Sequence, residues 1–197
     1  MIQFLIDNLN DDLLPFDQDL IKFIDLGTGN GHLLFQLHED LAEEYEGASK
    51  FEFKGIDYSP DSVRFSSDIA TEKYPESDFE FEQVDLLTKE NQFLQENAGK
   101  FDVLLDKGTL DAIALNQDPL DAFGGRIGME IYADQVSHLM HTNSILLITS
   151  CNFTEEELVK IITSNKDLGV WKKIAYPSFQ FGGVKGSTIC SIAFIRR

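Results

Sequence analysis

The chain has 197 residues, enough to bury one α/β core and too few for two. With 43% hydrophobic and 11% aromatic residues it is not a disordered chain, and no uncharged apolar run approaches the ~18 residues of a membrane span. Its 34 acids against 16 Lys and Arg give a formal charge of −18, a field that repels phosphate backbones and draws in cations, although acidity also serves solubility. No nucleic-acid partner and no membrane association are expected.

The opening stretch, MIQFLIDNLNDDLLPFDQDL, has no basic region ahead of its apolar residues and is broken by acids every few positions. It is no signal peptide, and a cytoplasmic protein is expected. Seven short apolar runs then read as strands: KFIDLG, FEFKGIDYS, FEFEQVDLL, FDVLLDKGT, SILLITSCN, VWKKIAYP and STICSIAFI. Segments with helical spacing or helix signals separate the first six, the alternation of a mainly parallel sheet covered by helices.

Some boundaries carry their own chemistry. Ser59 suits an N-cap and Pro60 the first helical position, so a helix is expected from there towards Tyr74. Residues 116–128, with Gly124, Gly125 and Gly128, form a candidate lid or substrate rim, followed by Ile127, Ile131, Val136 and Met140 near one helical face. Thr154 and Glu157 make a capping box ahead of Leu158, Ile161 and Ile162. The last two runs are joined by SFQFGGVKGS, too short for a crossover helix, so they pair antiparallel. Cys151 and Cys190 lie in apolar runs without CxxC spacing and read as reduced core thiols. The expected fold is α/β, a class I methyltransferase Rossmann-like three-layer sandwich. Its seven-stranded, mainly parallel sheet ends in an antiparallel hairpin, and one domain spans 1–197.

The glycine-rich turn in FIDLGTGNGHLLFQL narrows the ligand. A dinucleotide site uses G-x-G-x-x-G, whose third glycine lets the helix pack beneath the pyrophosphate. Here Gly27, Gly29 and Gly31 give G-x-G-x-G, and His32 stands where the third fingerprint glycine would be. S-adenosylmethionine carries no pyrophosphate, so a turn of Gly27, Thr28, Gly29 and Gly31 needs only close approach to its ribose and methionine portions. Asp25, just before the turn, is expected to accept through water from the ligand's ammonium group. Asp57 ends the next strand and can take both ribose hydroxyls, with Tyr58 beside the adenine. Asp85 ends the third and can accept from the adenine amine, with the Leu86 N–H adjacent. Each acid alone would serve as a helix cap or strand end. Together, on successive strands, they share the carboxyl edge where open α/β sheets bind ligands. The four histidines are scattered and no HExxH or CxxC occurs, so no metal is expected.

The fourth strand end, FDVLLDKGTLDAI, is the most specific stretch. With FIDLGTGNG, GIDYSP, LLITSCNFTEEEL and FQFGGVKGS, it makes the chain resemble the seven-strand S-adenosylmethionine-dependent protein lysine methyltransferases that modify translation elongation factor 1-alpha. The match is to the methyltransferase-like 10 type and its fungal counterpart, elongation factor methyltransferase 4. DKGTLDAI also suits the methyltransferase-like 13 type, whereas ITSCNFT and the FGG loop favour the former. The family's aromatic-rich YW…Y segment ahead of the first strand has no counterpart, since only about twenty residues precede Asp25; that segment is expected to be missing.

The resemblance implies methyl transfer from S-adenosylmethionine to a lysine of the elongation factor, with a monomer expected. Asp106 is expected to lie beneath the sulfonium and orient the amine, and Lys107, Gly108 and Thr109 to shape the substrate channel. Asn152 and Phe153 are candidates for its wall; Phe179 and Phe181 are candidates for the same wall or for hairpin packing. Lys107 is expected to turn from the sulfonium and pair with Asp111 one helical turn on. A small-molecule methyltransferase and a non-catalytic cofactor-binding module are the alternatives.

Overall fold

The computed structural model describes residues 1–16, 19–176, 179–181, 184–186 and 189–197; for 179–181 and 184–186 only the backbone is described. Seven strands form one sheet: β1 (Leu20–Leu26), β2 (Lys50–Asp57), β3 (Phe79–Gln83), β4 (Phe101–Lys107), β5 (Met140–Ser150), β6 (Leu168–Ile174) and, after a short pair β7 (Phe179–Phe181) and β8 (Val184–Gly186), β9 (Cys190–Arg196). The order is β3-β2-β1-β4-β5-β9-β6, with the first five strands parallel and β9 antiparallel to both β5 and β6. The expected strands and the closing antiparallel pair are all present, and β7–β8 is an addition within the connection.

The helices are α1 (Ile2–Asn10), α2 (His32–Glu44), α3 (Pro60–Lys73), α4 (Gln92–Glu96), α5 (Thr109–Leu115), α6 (Gly128–Ser137) and α7 (Glu155–Ile162). Central strands alternate their side chains between two apolar layers because both sheet faces are covered. Ile24 and Leu26 of β1, Leu104 of β4 and Ile148 of β5 pack with Leu110, Tyr132, Val136 and Leu158 of α5, α6 and α7. Phe23, Leu105 and Leu147 point the other way, against Leu5, Ile6 and Leu9 of α1 and Leu34, Leu37 and Leu41 of α2. No helix among the described residues is long and apolar enough to cross a membrane.

Local caps follow the side-chain chemistry. Ser59 accepts from the Ser62 N–H at 3.3 Å ahead of Pro60, and the helix ends at Lys73. Thr154 and Glu157 form the reciprocal capping box. Two expectations change, and one gains detail. Met140 belongs to β5, because α6 stops at Ser137. Residues 116–128 are ordered by an isolated antiparallel bridge between Leu120 and Arg126 and by a 3-10 turn at Asp121–Phe123. Cys190 is buried but Cys151 is exposed, since it lies just beyond the strand end and its thiol reaches a carboxylate.

Candidate active site

The carboxyl ends of β1, β2 and β4 converge on the glycine turn. Gly27, Gly29 and Gly31 have φ of 76°, 56° and 78°, a region open to glycine and costly for other residues. The Gly27 and Thr28 N–H groups both donate to the Ile56 carbonyl at 2.8 Å, which fixes the turn to β2. A side chain at Gly27 would run into the Thr109 hydroxyl, itself donating to the Leu26 carbonyl. The turn is thus held between β2 and the start of α5.

Two cavities meet here, sharing Gly27 and Lys107. One of ≈ 600 Å³ is lined by Asp57, Tyr58, Asp85 and Leu86 on one side and by Thr109 and Ile113 on the other. The second, ≈ 540 Å³, is lined by Asp25, Thr28, Asn30 and His32 together with Ile2 and Gln3 of α1. Both fall in the size range of small-molecule sites.

The acids differ in what they have left to offer. Asp57 accepts from the Gly29 and Ser59 N–H groups, one on each oxygen at 2.9 Å, and each oxygen keeps a lone pair at the cavity it lines. Asp85 is exposed one residue beyond the Val84 that follows β3, and one of its oxygens accepts from the Leu87 N–H at 2.9 Å. Tyr58 is 76% exposed, a ring face open to stacking. Asp25 is 3% exposed and its carboxyl is pushed up to about 7, chiefly by burial and further by the Asp106 and Asp57 charges, with Thr28 and Lys107 opposing. The neighbouring Thr28 hydroxyl is buried and near enough to Asp25 to lower its pKa, yet it makes no hydrogen bond of full geometry. A buried acid beside an under-satisfied hydroxyl and a tight glycine turn fits a ligand with a cationic end, and the spare oxygens of Asp57 fit a diol. The expected S-adenosylmethionine has both.

Asp106 sits deeper than the sequence reading expects. Its side chain is fully buried and lines neither cavity. Oδ1 accepts from the Thr109 N–H at 2.8 Å, and Oδ2 accepts from the Leu110 N–H at 3.0 Å and the Tyr132 hydroxyl at 2.5 Å. Burial lifts its carboxyl to about 6 against the pull of those three donors, and burial with the Asp106 charge holds the Tyr132 phenol protonated. A carboxylate so enclosed anchors the start of α5. Tyr132 was not singled out by the sequence; a tyrosine between the apolar Ile131 and Ala133 is the signal that a buried hydroxyl needs a partner.

Lys107 is exposed and borders both cavities, but among the described residues it forms no ion pair with Asp111. Asp111 turns instead to the end of β5, accepting from Ser150 and Cys151. Asn152 is exposed, while Phe153 packs against the core, and neither lines the two cavities. The side chains of Phe179 and Phe181 lie outside the described residues. No group of three or more potential metal ligands occurs among the described residues.

A family model described as a methyltransferase domain matches residues 17–183. Across its whole length the chain is 42% identical to the protein-lysine N-methyltransferase EFM4 of Saccharomyces cerevisiae, covering 78% of that protein. It is 38% identical to the protein-lysine N-methyltransferase efm4 of Schizosaccharomyces pombe, over 88% of this chain and 68% of that one. The human EEF1A lysine methyltransferase 2 is 33% identical over 92% of this chain and 66% of its own. Among solved structures, the magnesium protoporphyrin IX methyltransferase of Synechocystis PCC 6803 with bound SAM superposes with a TM-score of 0.61 at 16% identity, covering 100% of this chain and 78% of that one. That likeness speaks for the fold alone. On the family match and the full-length identity, the chain belongs to the methyltransferase-domain family, among its protein-lysine N-methyltransferases.

Proposed function

We propose that the protein transfers methyl groups from S-adenosylmethionine to a lysine of translation elongation factor 1-alpha, acting as a single domain in the cytoplasm, where translation takes place. One observation carries this reading: a cavity pair suited to a diol and a cation opens at the strand ends of a chain 42% identical to a protein-lysine N-methyltransferase throughout. The substrate is taken from the animal relatives, which are named EEF1A lysine methyltransferase 2. A charge of −18 favours a cationic protein surface.

S-adenosylmethionine, when bound, supplies an electrophilic methyl group and a neutral thioether leaving group. The two spare lone pairs of Asp57 would hold the cofactor's ribose hydroxyls, Tyr58 and Leu86 would flank its adenine, Asp85 would accept from the adenine amine, and Asp25 and Thr28 would receive the ammonium end. A lysine of ordinary pKa, about 10.4, is neutral in only about one molecule in a few thousand at pH 7, so the site must admit the neutral amine and align it. Three of the four acceptor sites of Asp106 are already used, and its side chain is fully buried. The acceptor that orients the amine therefore belongs to the rim formed by residues 107–109 and 151–153, and Asp106 holds that rim from below.

Incubation of the protein with labelled S-adenosylmethionine and purified elongation factor, followed by mass spectrometry, tests the reading. A methylated lysine on the factor is expected. Cofactor binding without label on any lysine would leave a small-molecule enzyme or a binding module.

A further inference from the structure

Of the two acids in DKGTLDAI, only Asp106 has been given a task so far. Asp111 is 5% exposed, and among the described residues its side-chain hydrogen bonds go to residues 39 or 40 positions away, at the end of β5. Oδ1 accepts from the Ser150 hydroxyl at 2.5 Å, and Oδ2 accepts from the Cys151 N–H at 2.9 Å and from its thiol at 3.3 Å. The Ser150 hydroxyl, 1% exposed, in turn accepts from the Asn152 and Phe153 N–H groups, both at 3.1 Å. Three consecutive backbone donors thus end on one carboxylate and the hydroxyl it holds. The turn they define leaves the Cys151 and Asn152 side chains exposed and packs Phe153 inward.

The same helix serves the other side of the site. Thr109 and Ile113 of α5 wall the larger cavity, and the start of α5 is fixed to β4 through Asp106. The β4–β5 ladder runs to Lys107 and Thr149, and one further backbone bond, Gly108 N–H to the Thr149 carbonyl at 3.2 Å, extends it. Beyond that point, among the described residues, the hydrogen bonds that tie the residue 151–153 turn to the helix walling the cofactor cavity run through Asp111.

We infer that Asp111 is a positioning residue for methyl transfer: it sets the protein-substrate wall at residues 151–153 relative to the cofactor cavity. The inference rests on the functional reading above, in which that turn faces the incoming lysine. Replacing the carboxylate removes an acceptor from a buried set of donors, and the turn relaxes away from its aligned position. The cofactor's own contacts, on Asp25, Asp57 and the glycine turn, do not pass through Asp111.

The test uses Asp111→Asn and Ser150→Ala in the full chain, with three readouts: steady-state kinetics on the elongation factor, calorimetric affinity for S-adenosylmethionine, and the rate at which iodoacetamide alkylates Cys151, with buried Cys190 as internal reference. The KM for the factor is expected to rise about tenfold in both variants, with cofactor affinity within about twofold of wild type. Cys151 alkylation is expected to rise at least about threefold as the thiol loses its carboxylate partner or its turn loosens. A Ser150→Ala protein with wild-type KM overturns the inference, as does a parallel loss of cofactor affinity. If the wild-type protein leaves the factor unmethylated, the functional reading fails; faster alkylation in the variants then still supports the clamp, and unchanged alkylation removes it.

Discussion

The two halves of the sheet edge use the same residue type for opposite ends. At β1 and β2, Asp25 and Asp57 border cavities with acceptor capacity to spare, and a buried hydroxyl beside Asp25 makes no hydrogen bond of full geometry. At β4 and α5, Asp106 and Asp111 are as deeply buried, but their oxygens are taken by Thr109, Leu110, Tyr132, Ser150 and Cys151. The first pair is built to meet something outside the chain. The second is internal scaffolding. What separates an acid that binds from one that holds is the number of lone pairs left after folding.

Substitutions can break that contrast, and the largest effect is expected where the two halves touch. Gly27→Val places a β-branched residue at φ 76° and drives its side chain into Thr109, the residue that joins α5 to β1. Calorimetry should show S-adenosylmethionine affinity reduced by more than about 100-fold. Asp57→Ala removes the diol acceptor and the anchor of the Gly29 N–H together. With charged hydrogen bonds worth about 1.5–3 kcal/mol each, affinity should fall by about 100-fold.

On the scaffold side, Tyr132→Phe deletes one of three donors to a buried carboxylate. Chemical denaturation should show about 1–3 kcal/mol of lost stability. Cofactor affinity should stay within about twofold.

The smallest effect is a pH dependence. Asp25 ionises at about 7 in the folded protein, against about 3.9 in an unfolded chain. Between those values the folded state holds the extra proton, so the stability of the cofactor-free protein should fall as pH rises from about 4 to about 7. Asp106, raised to about 6, contributes with the same sign. A cationic ligand end favours the ionised Asp25, so affinity should rise a few-fold between about pH 6 and pH 8, with proton release on binding. Asp25→Asn should flatten that rise in affinity.

How much of this was legible in the sequence follows the same line. The central strands β1, β4, β5 and β9 stood out as short apolar runs because strands buried on both faces carry little polar interruption, and the edge strand β3 stood out by its alternation. The caps at Ser59 and Thr154 were readable because their bonds span three residues. The glycine turn was readable because its positive φ angles demand that residue. Helix α1 went unread, although Ile2, Leu5, Ile6 and Leu9 have helical spacing; the acids that exclude a signal peptide drew the reading away from the apolar stripe. The surroundings of Asp106 and Lys107 were not legible for a deeper reason. Asp106 has two local donors, Thr109 and Leu110, but the third, Tyr132, is 26 residues away on α6, and Asp111, the partner expected for Lys107, is claimed by residues 39 and 40 away. Local spacing tells which strand end carries a carboxylate, but only packing tells what has already used it.

Titrating S-adenosylmethionine into the Asp57→Ala and Tyr132→Phe proteins side by side tests the division of labour most directly. Tyr132→Phe is expected to bind as tightly as wild type despite its lower stability, and Asp57→Ala to bind about 100-fold more weakly. A Tyr132→Phe protein that is folded at the assay temperature yet loses the cofactor as severely as Asp57→Ala would place Asp106 back in the binding site and contradict the account.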